Sequence, residues 1–198
     1  MVVRLKKNTI KNEIKKKMKS YKNFKKQIKI PVNVKIKKQT NILFFYGPLG
    51  LNMIDLKKLD PKGLGAIVFN NKKHSFLICS YSKSFLGCIY SLIKNKIQGV
   101  TGGFLIYLKI VGIGYRAQLE NHTLVFKLGF SHDLRYELPC SVRVFLIEPT
   151  LLCFYGIDKN QITQTVAKIR LLKPPSAYKG KGLRLDQELV NLKVAKKK

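Results

Sequence analysis

The sequence predicts an α+β fold with two tandem similar domains, each an antiparallel sheet packed against one helix, and with basic N- and C-terminal extensions. Short runs in which apolar and polar residues alternate, separated by glycine or proline turns, occupy much of residues 32–79 and 104–155. Each series of runs is followed by one stretch with the apolar spacing of a helix. Because the same order occurs twice, we infer an internal duplication.

The first domain is predicted from residue 30 to residue 99. Gly47 and Pro48 begin a strong turn signal between two apolar runs, and Asn70 and Asn71 supply another. Strands are expected at residues 32–36, 42–46, from 51, 66–69 and 75–79.

A helix is predicted after these strands because apolar residues recur at helical spacing and would form one stripe. Ser82 or Ser84 is expected to cap its start, and Gly99 to end it. The stripe consists of Phe85, Cys88, Ile89, Leu92, Ile93 and Ile97.

The second domain, residues 100–175, is predicted to repeat this plan. Its helix should begin at about Asp158, which has capping-box spacing to Gln161, and should end before Pro174. Ile162, Val166 and Ile169 are expected to face inward. Strands are expected at residues 104–111, 115–119, 124–128, 134–138, 142–147 and 151–155.

The charge of the chain indicates a polyanionic partner. Lys and Arg number 39 against 10 Asp and Glu, a formal net charge of +29. Such self-repulsion favours binding to nucleic acid or to an anionic membrane. Apolar runs such as residues 104–108 are much shorter than the roughly 20 residues of a membrane span. We therefore expect nucleic acid as the partner, and no membrane.

No pattern of catalytic or metal-binding residues stands out. The four cysteines form no C-x-x-C pair, so buried or half-buried thiols in a reducing compartment are expected, with no metal and no cofactor. His132 has no nucleophile or carboxylate pattern around it. Gly112 and Gly114 are followed by strand, which excludes a dinucleotide loop and indicates a bulge or bend against which Tyr115 packs. The chain is predicted not to be an enzyme.

The strongest candidate for a nucleic-acid contact lies at residues 168–184. Lysines reach phosphates as point charges, arginine clamps them, tyrosine stacks on a base or sugar, and glycine lets the backbone approach closely. A solvated basic linker is the alternative. The residues expected to bind are Lys168, Arg170, Lys173, Tyr178, Lys179, Gly180, Lys181, Gly182 and Arg184.

Both termini are basic. Residues 1–29 are expected to form either a short amphipathic helix on RNA, through Ile10, Ile14, Met18 and Tyr21, or a disordered tail. The C-terminal tail, residues 176–198, is expected to bind RNA, and its last residues, 193–198, to thread along the RNA backbone, with a frayed solubilising tail as the alternative. Its further contact residues are Lys193, Lys196, Lys197 and Lys198.

Three motifs in the second half resemble one known family. They are V-G-I-G-Y-R-A at residues 111–117, L-G-F-S-H at 128–132 and P-P-x-x-Y-K-G-K-G-L-R at 174–184. In this order they resemble the ribosomal large-subunit protein six family. The resemblance implies two domains and binding to large-subunit rRNA through the second domain and the C-terminal segment. It also implies a place near the stalk base and the elongation-factor site, among neighbouring large-subunit proteins, and we expect no homo-oligomer.

Two other functions remain as alternatives, an RNA-modifying enzyme with basic binding modules and a free-standing RNA chaperone. Lysine strongly outnumbers arginine, which is typical of AT-rich coding and favours an organelle. We expect the mitochondrial ribosome, with a plastid or the bacterial cytoplasm as the alternatives.

Overall fold

The computed structural model describes residues 24–70 and 74–193 of the 198-residue chain. These residues form two compact units that divide between Thr101 and Gly102, here called the first and the second unit. Each unit consists of antiparallel sheets packed against helices. The predicted α+β class, with tandem sheet-and-helix domains, is therefore confirmed.

The first unit builds two three-stranded antiparallel sheets where one was predicted, ordered β1-β6-β5 and β2-β3-β4. The predicted hairpin of β5 and β6 is present, although its turn at residues 71–73 lies outside the described residues. The elements are β1 (Phe24–Lys29), β2 (Lys35–Gln39), β3 (Ile42–Gly47), β4 (Gly50–Asp55), α1 (Leu56–Leu59), β5 (Gly65–Asn70), β6 (Ser75–Ser80) and α2 (Lys83–Thr101).

Helix α2 covers the core of the first unit. Leu86, Ile89, Ile93 and Ile97 are buried at helical spacing, and the helix packs on β1, β3, β4 and β6. The predicted stripe is correct for its isoleucines, but Leu86 lies on the buried side and Cys88 is exposed. The stripe is thus rotated slightly from its predicted position.

The prediction that Gly99 ends α2 is wrong, because the helix continues to Thr101 and Gly103 behind it takes the positive φ, +71°. Gly99 is buried instead. At this end of the helix, the turn between β3 and β4 approaches so closely that a Cβ on Gly47 would lie 2.4 Å from the carbonyl oxygen of Val100. The Leu49 N–H donates to that carbonyl at 3.2 Å.

The second unit has a three-stranded antiparallel sheet, β10-β9-β8, and a four-stranded one, β11-β12-β7-β13. Its elements are β7 (Phe104–Val111), β8 (Arg116–Glu120), β9 (Thr123–Lys127), β10 (Leu134–Glu137), β11 (Val142–Glu148), β12 (Leu151–Gly156), α3 (Lys159–Leu172) and β13 (Gly182–Leu185).

Strand order reveals the duplication. In each unit the first strand pairs with the sixth, the second to fourth form a meander, the fifth and sixth form a hairpin, and a long helix follows. The second unit adds β13, which pairs with the free side of β7 and places Leu183 in the core. This strand, within the predicted RNA-binding segment, was not predicted.

Helix α3 follows its prediction closely. The Asp158 carboxylate caps the start by accepting the Asn160 N–H at 3.2 Å, and the helix ends at Leu172, ahead of the prolines. Ile162, Val166 and Ile169 are buried, as predicted. They pack into a core with Leu108, Phe126, Phe154 and Leu183.

Part of the predicted basic extension is a strand of the first unit. Residues 24–29 form β1, which pairs with β6 and buries Ile28. The expected helix or tail at Ile10, Ile14, Met18 and Tyr21 lies outside the described residues. Across the described ranges, no helix is long and apolar enough to cross a membrane.

Two of the four cysteines are buried and two are exposed. Cys79 and Cys153 are buried, as expected, whereas Cys88 and Cys140 are exposed, so the expectation of buried or half-buried thiols is wrong for them. Burial raises the pKa of the Cys79 thiol, and the charge of Lys25 opposes that rise. All four thiols are free.

Candidate nucleic-acid interface

The candidate interface is a compact loop at residues 173–183, here called the basic loop, which runs from the end of α3 into the first two residues of β13. Pro174 and Pro175 cannot continue the helix, so the chain turns away at Lys173. The turn is closed by three backbone hydrogen bonds: Leu183 N–H to Lys173 O at 2.8 Å, Ser176 N–H to Lys181 O at 2.9 Å and Gly180 N–H to Ser176 O at 2.8 Å. The loop is therefore ordered by its own backbone.

Both glycines of the loop hold conformations that other residues rarely adopt. Gly180 has a φ of +67° and Gly182 a φ of +144°. Gly182 is buried, and a Cβ there would lie 2.6 Å from the carbonyl oxygen of Pro174. The loop therefore needs glycine at position 182 to close on itself, whether or not a partner is bound.

The tip of the basic loop is open to solvent. The Tyr178 side chain is 63% exposed, Lys179 is exposed and Lys181 is half-buried. Arg184, in β13 just beyond the loop, is also half-buried. In the described part of the chain, neither Lys179 nor Lys181 contacts an acidic side chain. Both ammonium groups are therefore available to an anionic partner.

The segment after β13 returns to the loop. The Lys193 N–H donates to the Ala177 carbonyl at 2.8 Å, and Lys193 itself is exposed. The loop and the chain leading into the tail thus form one basic surface. The predicted contacts Lys196, Lys197 and Lys198 lie outside the described residues.

Arg170, predicted to contact RNA, is held by an acidic partner within the chain. Its Nε donates to Glu188 Oε2 at 2.9 Å, and its Nη2 pairs with Oε1. The hydrogen bond to Glu188 raises the pKa of Arg170, and the same bond lowers the pKa of Glu188. Since Glu188 also accepts the Leu185 N–H at 3.3 Å, this pair fastens the end of β13 to α3.

Lys173 joins the loop to an aromatic cluster on the neighbouring turns. Its ammonium lies 3.9 Å from the centre of the Phe130 ring and 5.8 Å from that of Tyr115. Phe130 is 44% exposed, and its ring is near-parallel to that of His132 at 6.2 Å. The rings of Phe130 and His132 were not predicted as part of the site, although a Gly-Phe-Ser-His turn with an aromatic residue was a usable signal.

Tyr115 packs as expected against the glycine bend. A Cβ on Gly112 would lie 2.4 Å from its ring, and one on Gly129 2.9 Å. Gly112 and Gly114 have φ values of +158° and +74°. The ring of Tyr115 therefore fills the space that Gly112 and Gly129 leave, and the Lys173 ammonium lies over its face.

Lys168 lies in a different environment from the basic loop. It lines a polar cavity of about 680 Å³ together with Arg135 and two carboxylates, Glu120 and Glu137. A phosphate at Lys168 would therefore meet nearby negative charge. Of the predicted site residues that the structure describes, Lys168 and Arg170 lie beside acids, and the charge of Arg184 also acts on Glu188.

Nothing in the described ranges resembles a metal centre, since no group of three or more His, Cys, Asp or Glu side chains could hold an ion there. The chemistry that the loop offers is cationic and aromatic. It consists of two lysines with no acidic partner among the described residues, one exposed tyrosine and a lysine packed on aromatic rings. These groups suit binding to phosphates and stacking on bases.

Comparison with known proteins identifies relatives along most of the chain. The family model for ribosomal protein L6 matches residues 111–184, which include the basic loop. The large ribosomal subunit protein uL6m of Prototheca wickerhamii is 44% identical over 184 residues, covering 86% of this chain and 95% of that protein. The uL6m of Reclinomonas americana is 38% identical over 183 residues, and the uL6 of Thermotoga maritima 37% over 178; each match covers 87% of this chain and 97% of the relative.

Proposed function

Because the chain belongs to the ribosomal protein L6 family, we propose that it binds large-subunit rRNA through the basic loop of its second unit. Proteins of this family are structural constituents of the ribosome and not enzymes, and the chain shares their role. The alternative of an RNA-modifying enzyme is therefore set aside. The proposed site lies near the stalk base and the elongation-factor site, which the resemblance in residues 111–184 supports.

The observation that carries the proposal is the closed loop with an open cationic tip. Three backbone hydrogen bonds hold the loop, so little entropy is lost when Lys179 and Lys181 meet phosphates. Tyr178 can stack on a base or sugar, and Lys193 extends the charged surface. Recognition in this arrangement relies on shape and phosphate contacts, with little reading of base sequence.

We place the protein in the mitochondrial ribosome. The relatives from Prototheca wickerhamii and Reclinomonas americana carry the name uL6m, and the strong excess of lysine over arginine points to an organelle genome. Neighbouring large-subunit proteins are its expected protein partners.

A charge-reversal experiment tests the site. The double change Lys179→Glu with Lys181→Glu should reduce incorporation into large subunits on sucrose gradients, because two phosphate contacts become repulsive. The matched control is Lys57→Glu with Lys58→Glu, which alters two exposed lysines of α1 in the first unit and changes net charge equally. Normal incorporation of the first variant, or equal loss in both, would contradict the proposed interface.

A further inference from the structure

One face of the meander sheet in the first unit is apolar and uncovered. Strand pairing places Lys35, Tyr46 and Leu51 in one row across β2, β3 and β4, and Lys37, Phe44 and Met53 in the next. Since side chains alternate along a strand, all six lie on the same side of the sheet. The opposite side is the buried one, with Leu43, Phe45 and Ile54. We call Phe44, Tyr46, Leu51 and Met53 the apolar face.

The apolar face is open to solvent. Tyr46 is 40% exposed, Leu51 50% and Met53 60%, and Phe44 is half-buried beside Tyr46, with ring centres 6.5 Å apart. Single exposed apolar residues are ordinary on protein surfaces, but contiguous ones mark interaction sites. Four such residues in two adjacent rows form a contiguous patch.

The duplication supplies an internal control. In the second unit, counted from the same two-residue turn between the first two strands of the meander, the matching rows are Arg116 and Lys127, followed by Gln118, Val125 and Arg135. All but Val125, which is buried, are polar or charged. The fold therefore does not require apolar side chains on this face, and the apolar face of the first unit needs another explanation.

The side chains on this face favour a protein over a nucleic acid as the occupant. Leu51 and Met53 have no flat ring on which a base can stack, whereas Tyr, Phe and Met are typical of the buried centre of protein interfaces. Lys35 and Lys37 border the face on β2, and the Lys37 ammonium lies 5.6 Å from the centre of the Tyr46 ring. An occupant that buries the rings must therefore neutralise two lysines along one side.

We propose that the apolar face is the docking surface for a neighbouring large-subunit protein, which presents apolar side chains flanked by Asp or Glu. The apolar side chains would cover Leu51 and Met53, and the acids would pair with Lys35 and Lys37. This inference rests on the proposed function in one respect: it assumes that the chain is part of the large subunit, where the partner is found. It does not depend on the basic loop, which belongs to the other unit.

Site-specific cross-linking tests this surface. The full chain, carrying a photoreactive benzophenone amino acid in place of Met53, is incorporated into large subunits, and the adducts are identified by mass spectrometry. The control carries the same group in place of Arg135, which holds the position of the second unit that matches Met53. We expect a protein adduct at Met53, nuclease-resistant and roughly ten-fold above the control, whose linked peptide contains apolar residues next to Asp or Glu. A nuclease-sensitive adduct, an adduct within the chain itself, or yields equal to the control would overturn the proposal.

A second variant separates this inference from the proposed function. The double change Leu51→Lys with Met53→Lys should weaken the retention of the partner protein, as identified by cross-linking, on salt-washed subunits by about ten-fold or more. The reason is that two apolar contacts buried in the proposed interface become charges. The chain itself should still incorporate, because the basic loop is untouched. Unchanged retention of the partner would overturn the docking surface, whereas failed rRNA binding through the basic loop would count against the proposed function alone.

Discussion

At the scale of single residues, Gly182 decides whether the basic loop can close. Its φ of +144° and its contact with the Pro174 carbonyl leave no room for a side chain. Gly114 also has a positive φ, +74°, but a Cβ there would meet no atom within 4 Å. The two positions therefore separate the cost of backbone strain from the cost of a steric clash.

We predict that Gly182→Ala destabilises the chain by about 3 kcal/mol, because strain and the clash add. Gly114→Ala should cost about 1 kcal/mol, from strain alone. Urea unfolding of both variants measures the difference. Equal losses would mean that the loop relaxes around the added methyl group and that Gly182 is not required for closure.

The residue scale is also where the sequence was least informative. Tyr178 and Lys179 were predicted to be available, and both side chains are exposed. The partners of Arg170 and Lys173 could not be predicted, because Glu188 and Phe130 are distant in sequence and reach them only through β13 and the turn after β9. The local sequence around a lysine or arginine does not show whether its partner in the folded chain is an acid or an aromatic ring.

At the scale of elements, β13 is held to α3 by the ion pair of Arg170 and Glu188. The pair is two-pronged and partly buried, with Arg170 and Glu188 side chains 32% and 24% exposed, so it should contribute more than a surface pair. The pKa of Glu188 is lowered by its bond to Arg170. Its contribution is therefore complete above the ordinary glutamate pKa of about 4.3 and is lost as the pH falls through the lower pKa of the folded state.

We predict that Glu188→Gln reduces the free energy of unfolding by about 1–2 kcal/mol at pH 7, and that its difference from the unchanged chain is smaller at pH 3. Denaturant titrations at both pH values measure it. The control is Asp133→Asn, whose pair with Lys127 is 3.7 Å long and exposed, and which should change stability by less than about 0.5 kcal/mol. A loss for Glu188→Gln that is the same at both pH values would indicate packing and not charge.

The elements themselves were largely predictable from sequence. The periodicity of Ile162, Val166 and Ile169 specified α3, and the prolines specified its end. Strand β13 was missed because four residues between a glycine-rich loop and two acids carry too short a pattern, and its partner β7 is remote. The prediction for Gly99 failed because this glycine is buried within α2, which continues to Thr101, and the positive φ occurs at Gly103 instead.

At the scale of the whole molecule, the two acidic side chains that the structure describes in the first unit both accept hydrogen bonds from backbone N–H groups. Asp55 accepts the N–H groups of Lys57 and Lys58, and Asp60 those of Leu64 and Gly65. Few carboxylates therefore offset the lysines of a chain whose formal net charge is +29. Binding to RNA should in consequence depend steeply on salt.

We predict that the logarithm of the association constant for a large-subunit rRNA fragment falls linearly with the logarithm of salt concentration. Changing Lys179 and Lys181 to Glu should make that slope shallower by about two, roughly one for each lysine that no longer meets a phosphate. The matched change of Lys57 and Lys58 should leave the slope unaltered. Filter-binding titrations measure both slopes, and identical slopes in the two variants would mean that the loop lysines touch no phosphate.

The position of β13 also bears on how the second unit acquires its structure. Strand β7 pairs with β12 on one side and with β13 on the other. Strand β13 is synthesised only after all the residues between 111 and 182, so its pairing with β7 comes last. Pairings so far apart in sequence form slowly, since a large loop must close before any contact stabilises it. Until β13 pairs, one edge of β7 has unsatisfied backbone groups that can pair with another chain, which makes the newly synthesised protein prone to aggregate. We therefore expect the nascent second unit to depend on chaperones until β13 has docked.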